Sequence, residues 1–400
     1  MRDSQSPDLE IVLFGGIEKE MTRAEACLIL NMVGHIGPVT VRRLIQRFAS
    51  PEAILATSAS DLKSVQGVGL KAANAIASWR ETVPWEAELK RVQERGFKIL
   101  TQEDAHYPVH LREIHDPPLV LYVHGQLLNG EKNSIAIVGM RHPTPYGQET
   151  ARRFGYQFGH IGLSIVSGLA LGIDSSAHHG CLQTKGHTVA VLGFGFDYLP
   201  RAENSKLAQD IVDAGGAVIT EFPCGRPPDR QTFPMRNRIV SGITLGTLVV
   251  EAGINSGALI TAHFALEQGR QVFAVPGRID QGQSIGCHKL IQNGAKLVQT
   301  VEDVLEEFEY LIPKDRSMGE ETSESMIQLT ETEQMVLQAI QEEETEIDTI
   351  MAACALPPSV VSATLMVLEM KKAVRQLSGK RYLRRTLQPQ QAAETPSSTS

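Results

Sequence analysis

Between residues 134 and 299 the chain alternates short apolar segments with helix-like segments, and this alternation restricts its fold more than any other feature. The apolar segments predict strands at 134–139, 163–167, 187–193, 217–221, 246–251, 271–275 and 296–299. The intervening patterns predict helices near 147–160, 174–185, 202–214, 235–243, 257–268 and 286–293. Continuous apolar runs such as residues 188–192 suit parallel strands covered on both faces. The sequence therefore predicts a doubly wound α/β domain with a mostly parallel sheet.

Small residues and arginines follow these strands. Gly139 and Arg141 come directly after the first strand, and Ser167, Gly168 and Gly172 follow the second. Loops at the carboxyl ends of parallel strands meet at one edge of a sheet, where such folds bind ligands. Arginine presents a planar fork of donors that matches phosphate oxygens, and small residues let backbone amides approach an anion. The alternative role for such an arginine is pairing with a nearby carboxylate.

Later loops add to the same set of candidate binding residues. They comprise Arg201 after the third strand, the Phe233, Arg236, Asn237 and Arg238 cluster, and Ser256 with Gly257 at a predicted helix start. Basic groups beside an aromatic ring are typical of grooves for single-stranded nucleic acid, in which cations follow the backbone and rings stack on bases.

Several catalytic interpretations are weaker. The glycine fingerprint of dinucleotide folds is absent, so NAD and FAD are not expected. His178 and His179 lack a third ligand at metal-site spacing, and Ser167, Asp174 and His178 lack a nucleophile elbow. Asp174 is also suited to capping a helix. Glu251 keeps one enzymatic alternative open, because Gly246-Thr247 with Glu251 partly matches a motif of lysine-decarboxylase-like phosphoribohydrolases.

Flanking segments predict further domains. Residues 21–84 show helical periodicity with two glycine turns, at 33–38 and 65–69, which resemble helix-hairpin-helix modules; a helical bundle with tight turns is the alternative. Residues 85–312 then contain a connector and the α/β domain, whose core spans 134–300. Residues 330–386 predict three short helices and a basic hairpin, which resemble a winged helix. We expect 1–20 to be a leader, 313–329 a linker and 387–400 a disordered tail.

Composition leaves nucleic acid open as a partner. The formal net charge is −8, yet 15 acidic and two basic residues lie between 301 and 346, which leaves the remainder of the chain at +5. The five cysteines are dispersed without a C-x-x-C pair, which favours a reducing compartment over a disulfide framework or zinc site. No apolar run is long enough for a membrane span, and no signal peptide pattern is present. We expect a cytoplasmic protein.

Taken in order, these motifs resemble the DNA-processing DprA (Smf) family. The resemblance covers about 22–310 and rests on Gly139-x-Arg141, Tyr146-Gly147, Ser167 to Asp174, Ala177-His178, Phe233 to Arg238, Glu251-Ala252, Ser256-Gly257, Thr261-Ala262, Gly269-Arg270, Ala274 to Gly277 and Gly294-Ala295, with Tyr107-Pro108, Pro117-Pro118 and Leu121-Tyr122 upstream. Met140 departs from the family's usual Gly-Ser-Arg and Thr220 from its Ser-Glu. The spacing around Arg201, Pro200-Arg-Ala-Glu-Asn204, also departs from the family's Tyr-Pro-x-x-Asn.

The resemblance implies a Rossmann-like domain that binds single-stranded DNA and loads RecA onto incoming strands in natural transformation. It also implies a homodimer, no cofactor and no catalytic residue. Carried over by position, Arg141, the Ser167-Gly168 turn, Arg201 and the Arg236, Asn237, Arg238 cluster would line the DNA pocket. Two alternatives remain: a nucleotide hydrolase that uses Glu251, and a duplex-binding regulator whose winged helix contacts phosphates through Lys371, Lys372, Arg384 and Arg385.

Overall fold

The computed structural model describes residues 21–308, 331–340, 345–354, 356–370, 374–377 and 381–384. The predicted leader, linker and tail therefore lie outside the described residues. The chain divides into two compact units, Met1–Pro313 and Lys314–Ser400.

Helices fill the first part of the larger unit: α1 (Arg23–Met32), α2 (Pro38–Phe48), α3 (Pro51–Ala56), α4 (Ala59–Lys63), α5 (Leu70–Ala77), α6 (Trp79–Thr82) and α7 (Trp85–Glu94). The two predicted glycine turns are present, because Gly37 and Gly69 are the N-cap residues of α2 and α5. Thr22 and Glu25 form a capping box at the start of α1, which satisfies two amides that would otherwise lack partners. Leu30, Leu44 and Ile76 pack in the shared core of these helices.

Strands and helices then alternate: β1 (Lys98–Thr101), α8 (Val109–Arg112), β2 (Val120–Gly125), β3 (Ser134–Val138), α9 (Pro145–His160), β4 (Ser164–Ser167), α10 (Ile173–Leu182), β5 (Thr188–Val191), α11 (Ser205–Asp213), β6 (Ala217–Thr220), α12 (Thr232–Ile243), β7 (Gly246–Val249), α13 (Gly257–Glu267), β8 (Gln271–Ala274), α14 (Ile285–Gln292), β9 (Lys296–Leu297) and α15 (Val301–Phe308). Short 3-10 segments lie at Asn129–Glu131, Phe196–Arg201 and Gly282–Ser284. Each of the seven predicted strands and six predicted helices has a counterpart at the expected place.

Within the described residues these strands form one sheet in the order β1-β2-β6-β5-β4-β3-β7-β8-β9. The pairs from β6 to β9 are parallel, whereas β1 and β2 join as an antiparallel edge. The strand order changes direction at β3, because β4 lies on one side of it and β7 on the other. Ligands in open α/β sheets bind beyond the carboxyl ends of the strands at such a switch point.

The helical part packs directly on the sheet. The side-chain amide of Asn31 donates to the Glu221 carbonyl oxygen at 2.9 Å, and the Arg42 guanidinium donates to the Ile114 carbonyl oxygen at 3.1 Å. Arg91 and Arg95 of α7 both pair with Asp197 in the Phe196–Arg201 segment. These contacts fix the helices beside the loops at the carboxyl ends of β5 and β6.

The smaller unit contains α16 (Glu331–Gln338), β10 (Thr345–Glu346), α17 (Ile347–Cys354), α18 (Pro358–Met370), β11 (Val374–Leu377) and β12 (Arg381–Arg384). Its strands pair antiparallel in the order β10-β12-β11, and Val336, Ile350 and Leu365 belong to its core. Three helices and a small antiparallel sheet are the predicted winged helix. The turn of the predicted basic hairpin, at Ser378-Gly379, lies outside the described residues, as do Lys371, Lys372 and Arg385.

All five cysteines are buried and unpaired. Among the described helices, none combines the length and the apolar character needed to cross a membrane.

Candidate nucleic-acid interface

A cavity of about 480 Å³ lies at the switch point, beyond the carboxyl ends of β3 and β7. Its wall includes predicted site residues from the loops after β3, β4 and β7 and from α12: Gly139, Arg141, Gly168, Phe233, Arg236, Asn237, Ser256 and Gly257. Ser256 is the N-cap of α13, and its hydroxyl accepts from the Ala258 amide at 3.3 Å. This switch-point cavity thus combines guanidinium groups with a helix N-terminus, and both attract anions.

A second cavity, of about 300 Å³, lies beyond the carboxyl ends of β4 and β5. We call it the aromatic cavity, because the rings of Phe194, Tyr198 and Phe233 line it together with Leu169 and Leu192. Polar groups also line it, namely Arg201, Glu203 and Asn204 from the segment that leads into α11. A pocket of apolar walls with a few polar groups is the usual form of a small-molecule or base site.

Arg141 and Phe233 line both cavities and form the wall between them. The Arg141 guanidinium carbon lies 5.5 Å from the centre of the Phe233 ring, within cation–π range. Phe194 meets the same ring edge-on at 6.5 Å between centres. Gly193 packs against this ring: a Cβ there would lie 2.9 Å from its Cδ1 atom. The pair therefore offers a charge and an aromatic ring to any ligand that passes from one cavity to the other.

Arg236 also lines both cavities, although its side chain is 5% exposed. Nη1 donates to the Val191 carbonyl oxygen at 2.6 Å, while Nε has no partner among the described residues. Burial lowers the pKa of Arg236 to about 10, and the nearby Asp174 carboxylate opposes that shift. The guanidinium thus stays charged at neutral pH. Gly168 makes room for it, since a Cβ at this position would overlap the guanidinium.

The Asp174 carboxylate stabilises the loop after β4 and the Arg236 side chain. It does not cap α10 in the way that the sequence suggested, since Gly172 is the N-cap residue there. Its carboxylate instead accepts from the amides of Gly168 at 3.1 Å and Ala170 at 3.4 Å. Burial raises the pKa of Asp174, and the Arg236 guanidinium counteracts this. Asp174 consequently fixes the loop after β4 and provides the counter-charge for Arg236.

Three residues of the predicted site lie apart from it. Arg238 lines neither cavity; it is 4% exposed and forms ion pairs with Glu221 at 2.5 Å and Asp116 at 2.9 Å. The Ser167 hydroxyl is fully buried and donates to the Ile137 carbonyl oxygen at 2.7 Å. Gly172, at φ +86°, packs against the carbonyl groups of Met140 and Arg141. These residues hold the site's loops in place, and the expectation that they line the pocket is corrected accordingly.

Four further residues line the cavities and were not predicted from the sequence. Tyr198, Glu203 and Asn204 belong to the loop between β5 and α11, and Asn255 precedes the start of α13. Their position just after strands was a usable signal, because such loops converge on the same edge of the sheet. Arg201, by contrast, was predicted and does line the aromatic cavity.

Glu251 lines neither cavity. Its carboxylate accepts from the Thr144 amide at 2.8 Å and from the Thr144 hydroxyl, directly before the first turn of α9. Gly147 permits this approach, because a Cβ there would overlap the carboxylate. Negative charge at a helix N-terminus is stabilising. The geometry therefore gives Glu251 a structural role and does not favour the hydrolase alternative.

His178 is fully buried beneath the sheet and lines neither cavity. Nδ1 lies 2.7 Å from the Thr188 hydroxyl, which donates its own hydrogen to the Ile165 carbonyl oxygen at 2.8 Å. The hydroxyl must therefore accept, so Nδ1 carries a proton; because burial lowers the pKa of His178, the ring is neutral at neutral pH. Among the described residues, no group of three or more His, Cys, Asp or Glu side chains is arranged to hold a metal ion.

This burial predicts acid sensitivity. Burial lowers the pKa of His178 to about 3 from an ordinary 6.5, so below pH 6.5 the unfolded chain takes up a proton that the folded chain does not. The free energy of unfolding should then fall by about 1.4 kcal/mol per pH unit between 6.5 and 3 relative to a His178→Gln variant. Urea unfolding of both proteins at pH 7, 6 and 5 measures this difference. A constant difference across this range would contradict the prediction.

Comparisons with known proteins agree with this architecture. The family model for "DNA recombination-mediator protein A" matches residues 98–309. Models for a SAM-like helix-hairpin-helix tandem and for the DprA winged helix domain match 28–78 and 320–380. The flanking domains predicted from the sequence are thus confirmed in type.

Individual relatives cover most of the chain. Protein Smf of Synechocystis is 36% identical over 390 residues, which span 90% of this chain and 98% of the relative. The DNA processing protein DprA of Bacillus subtilis is 36% identical over 291 residues, which span 72% of this chain and 96% of the relative. The X-ray structure of DprA from Streptococcus pneumoniae superimposes with a TM-score of 0.62 at 34% identity, covering 72% of this chain and 99% of that one.

The fold and the matched domains define a DNA recombination mediator with a Rossmann-like core. The chain belongs to the DprA/Smf family, because the family model covers more than half of it and the Synechocystis relative nearly all of it.

Proposed function

We propose that this protein binds single-stranded DNA along the switch-point and aromatic cavities, with little sequence preference. The observation that carries the proposal is the common wall, where the Arg141 guanidinium lies over the Phe233 ring and Arg236 faces both cavities. Cations that follow a backbone, beside rings that stack on bases, are the two parts of a single-strand groove.

Electrostatics support an anionic ligand here. Burial is the main cause that lowers the pKa of Arg236; Asp174 opposes this shift and the nearby Arg141 charge adds to it, so two like charges lie close together at this site. Holding them together costs free energy that a phosphate between them would recover. Gly139 after β3, and Ser256 and Gly257 at the start of α13, line the same cavity beside these charges. A single strand offers phosphates to this surface and bases to the rings.

We extend the proposal to recombination itself. Binding an incoming strand in natural transformation would place it for RecA, and a homodimer would join two such grooves. The edge strand β9 supports self-association, because among the described strands it pairs with β8 alone and leaves Leu297 43% exposed. Sedimentation of the full chain tests the dimer. The lag of RecA ATP hydrolysis on single-stranded DNA, with and without this protein, tests loading. No shortening of the lag would count against it.

The first test of DNA binding is a salt titration with fluorescent oligo-dT and wild-type protein. We expect log Kd to rise linearly with log salt, with a slope near 0.7 for each phosphate bound. Arg141→Ala should weaken binding about tenfold at moderate salt and reduce the slope by about 0.7, because one phosphate contact is lost.

Arg153→Ala is the matched control. Arg153 is exposed on α9, lies over Phe154 and lines neither cavity, so its loss changes the net charge by the same amount. If both variants weaken binding equally, only net charge matters and the site lies elsewhere. If the Kd of wild-type protein for oligo-dT did not change with salt, the proposal that these cavities bind the phosphates of single-stranded DNA would be contradicted.

A further inference from the structure

The aromatic cavity holds two oppositely charged side chains that the fold does not use. Arg201 and Glu203 line it two residues apart and are exposed. Within the described part of the chain, no hydrogen bond or ion pair engages either side chain. They also do not pair with each other, although both line one space of about 300 Å³. Neighbouring opposite charges that stay apart leave room for a ligand that satisfies both.

The rest of the cavity suits one planar ring system. Phe194, Tyr198 and Phe233 line it with aromatic faces and edges, and Leu169 and Leu192 complete the apolar wall. The Asn204 amide nitrogen donates one hydrogen to the Leu169 carbonyl oxygen at 2.9 Å, which fixes the amide and leaves its oxygen and second N–H for a ligand. The volume is at the lower end of the range for ligand pockets, which fits a single nucleoside rather than a longer segment.

On this basis we infer that the aromatic cavity receives one unstacked base of the bound strand and prefers guanine. Guanine has acceptors O6 and N7 on one edge, which match an arginine, and donors N1–H and N2–H on another, which match a carboxylate. Adenine has an amino group in place of O6 and so loses the acceptor pair for the arginine. Cytosine has only its exocyclic amino group, and thymine only its ring N–H, as a donor to the carboxylate. Guanine is therefore the base that can form two hydrogen bonds with Arg201 and two with Glu203 at the same time, whereas the other bases offer at least one of these residues a single bond.

This inference rests on the proposed single-strand binding and adds a base preference at one position. The remaining contacts tolerate any sequence, because stacking and phosphate pairing are available to every nucleotide. A strand can slide until a guanine reaches the cavity. A lone guanine in a dT tract should therefore be enough to reveal the preference.

The test compares 12-residue oligo-dT strands that carry one central dG, dA, dC, deoxyinosine or 7-deaza-dG, each in competition with labelled dT. Wild type should bind the dG strand about tenfold more tightly than all-dT, since a good bidentate pair discriminates at this level. Deoxyinosine lacks the N2 donors and 7-deaza-dG lacks N7, so each should lose part of the gain. These analogues change the ligand and leave the protein intact.

Glu203→Gln should lose most of the preference for the dG strand over all-dT, because a glutamine amide cannot accept from both N1–H and N2–H, while Arg201 still meets O6 and N7. Glu86→Gln is the matched control, because Glu86 is exposed on α7 and lines neither cavity. This variant should keep the preference for the dG strand.

Equal binding of all strands by wild type would overturn the guanine inference while leaving single-strand binding intact. A dG preference that is undiminished in Glu203→Gln would also overturn it. No binding of any strand would instead contradict the proposed function.

Discussion

Replacing Arg236 with methionine should weaken binding of single-stranded DNA about ten- to hundredfold and destabilise the fold by about 3–5 kcal/mol. The loss of binding follows from removing a charged donor whose contacts are each worth about 1.5–3 kcal/mol. The loss of stability follows because Asp174, 7% exposed beside Arg236, would remain as a buried carboxylate without its counter-charge. Urea unfolding and oligo-dT binding by the folded protein measure the two effects.

A second substitution separates these effects. Asp174→Asn in the Arg236→Met background removes the uncompensated charge, while the amide nitrogen and oxygen of asparagine still fit beside the loop after β4. We expect most of the stability to return and the weak binding to remain. If DNA affinity returned together with stability, Arg236 would act only by holding the loop, and its placement in the site would be wrong.

The strands could be predicted because their signal is local. Parallel strands covered on both faces require continuous apolar runs, as in β5 (Thr188–Val191). Loops after such strands must meet at one edge, so Gly139 and Arg141 could be assigned to the site before any coordinates were known. The type of each flanking domain was similarly accessible from glycine turns and helix periodicity.

What the sequence did not resolve is the direction of side chains within one motif. Arg236 and Arg238 lie two positions apart on α12, or roughly 200° around the helix axis, so they face opposite sides. Helix periodicity alone could have separated them, and treating the motif as one cluster concealed this. Tyr198, Glu203 and Asn204 differ in kind, because their loop is placed by the ion pairs of Asp197 with Arg91 and Arg95. Such tertiary contacts have no local signature.

Arg238 faces the side of α12 opposite to Arg236, and the second prediction of a large effect follows from this. Arg238→Met should destabilise the fold by about 3–5 kcal/mol, because Glu221, 6% exposed, would lose its partner in a buried ion pair. The folded protein should nevertheless bind oligo-dT within about twofold of wild type, since Arg238 lines neither cavity. The contrast with Arg236→Met, two residues away, is the informative result.

The stability deficit of Arg238→Met should also depend on pH. Burial already raises the pKa of Glu221, and Arg238 is the largest influence that opposes it. Without Arg238 the pKa rises further, so the folded variant holds a proton that the unfolded chain releases. A carboxyl with a raised pKa contributes stability at low pH and loses it as pH rises through that pKa. The deficit should therefore be larger at pH 8 than at pH 5.5, and Glu221→Gln in the same background should remove that dependence. A deficit that is equal at both pH values, or DNA binding lost along with stability, would return Arg238 to the binding surface.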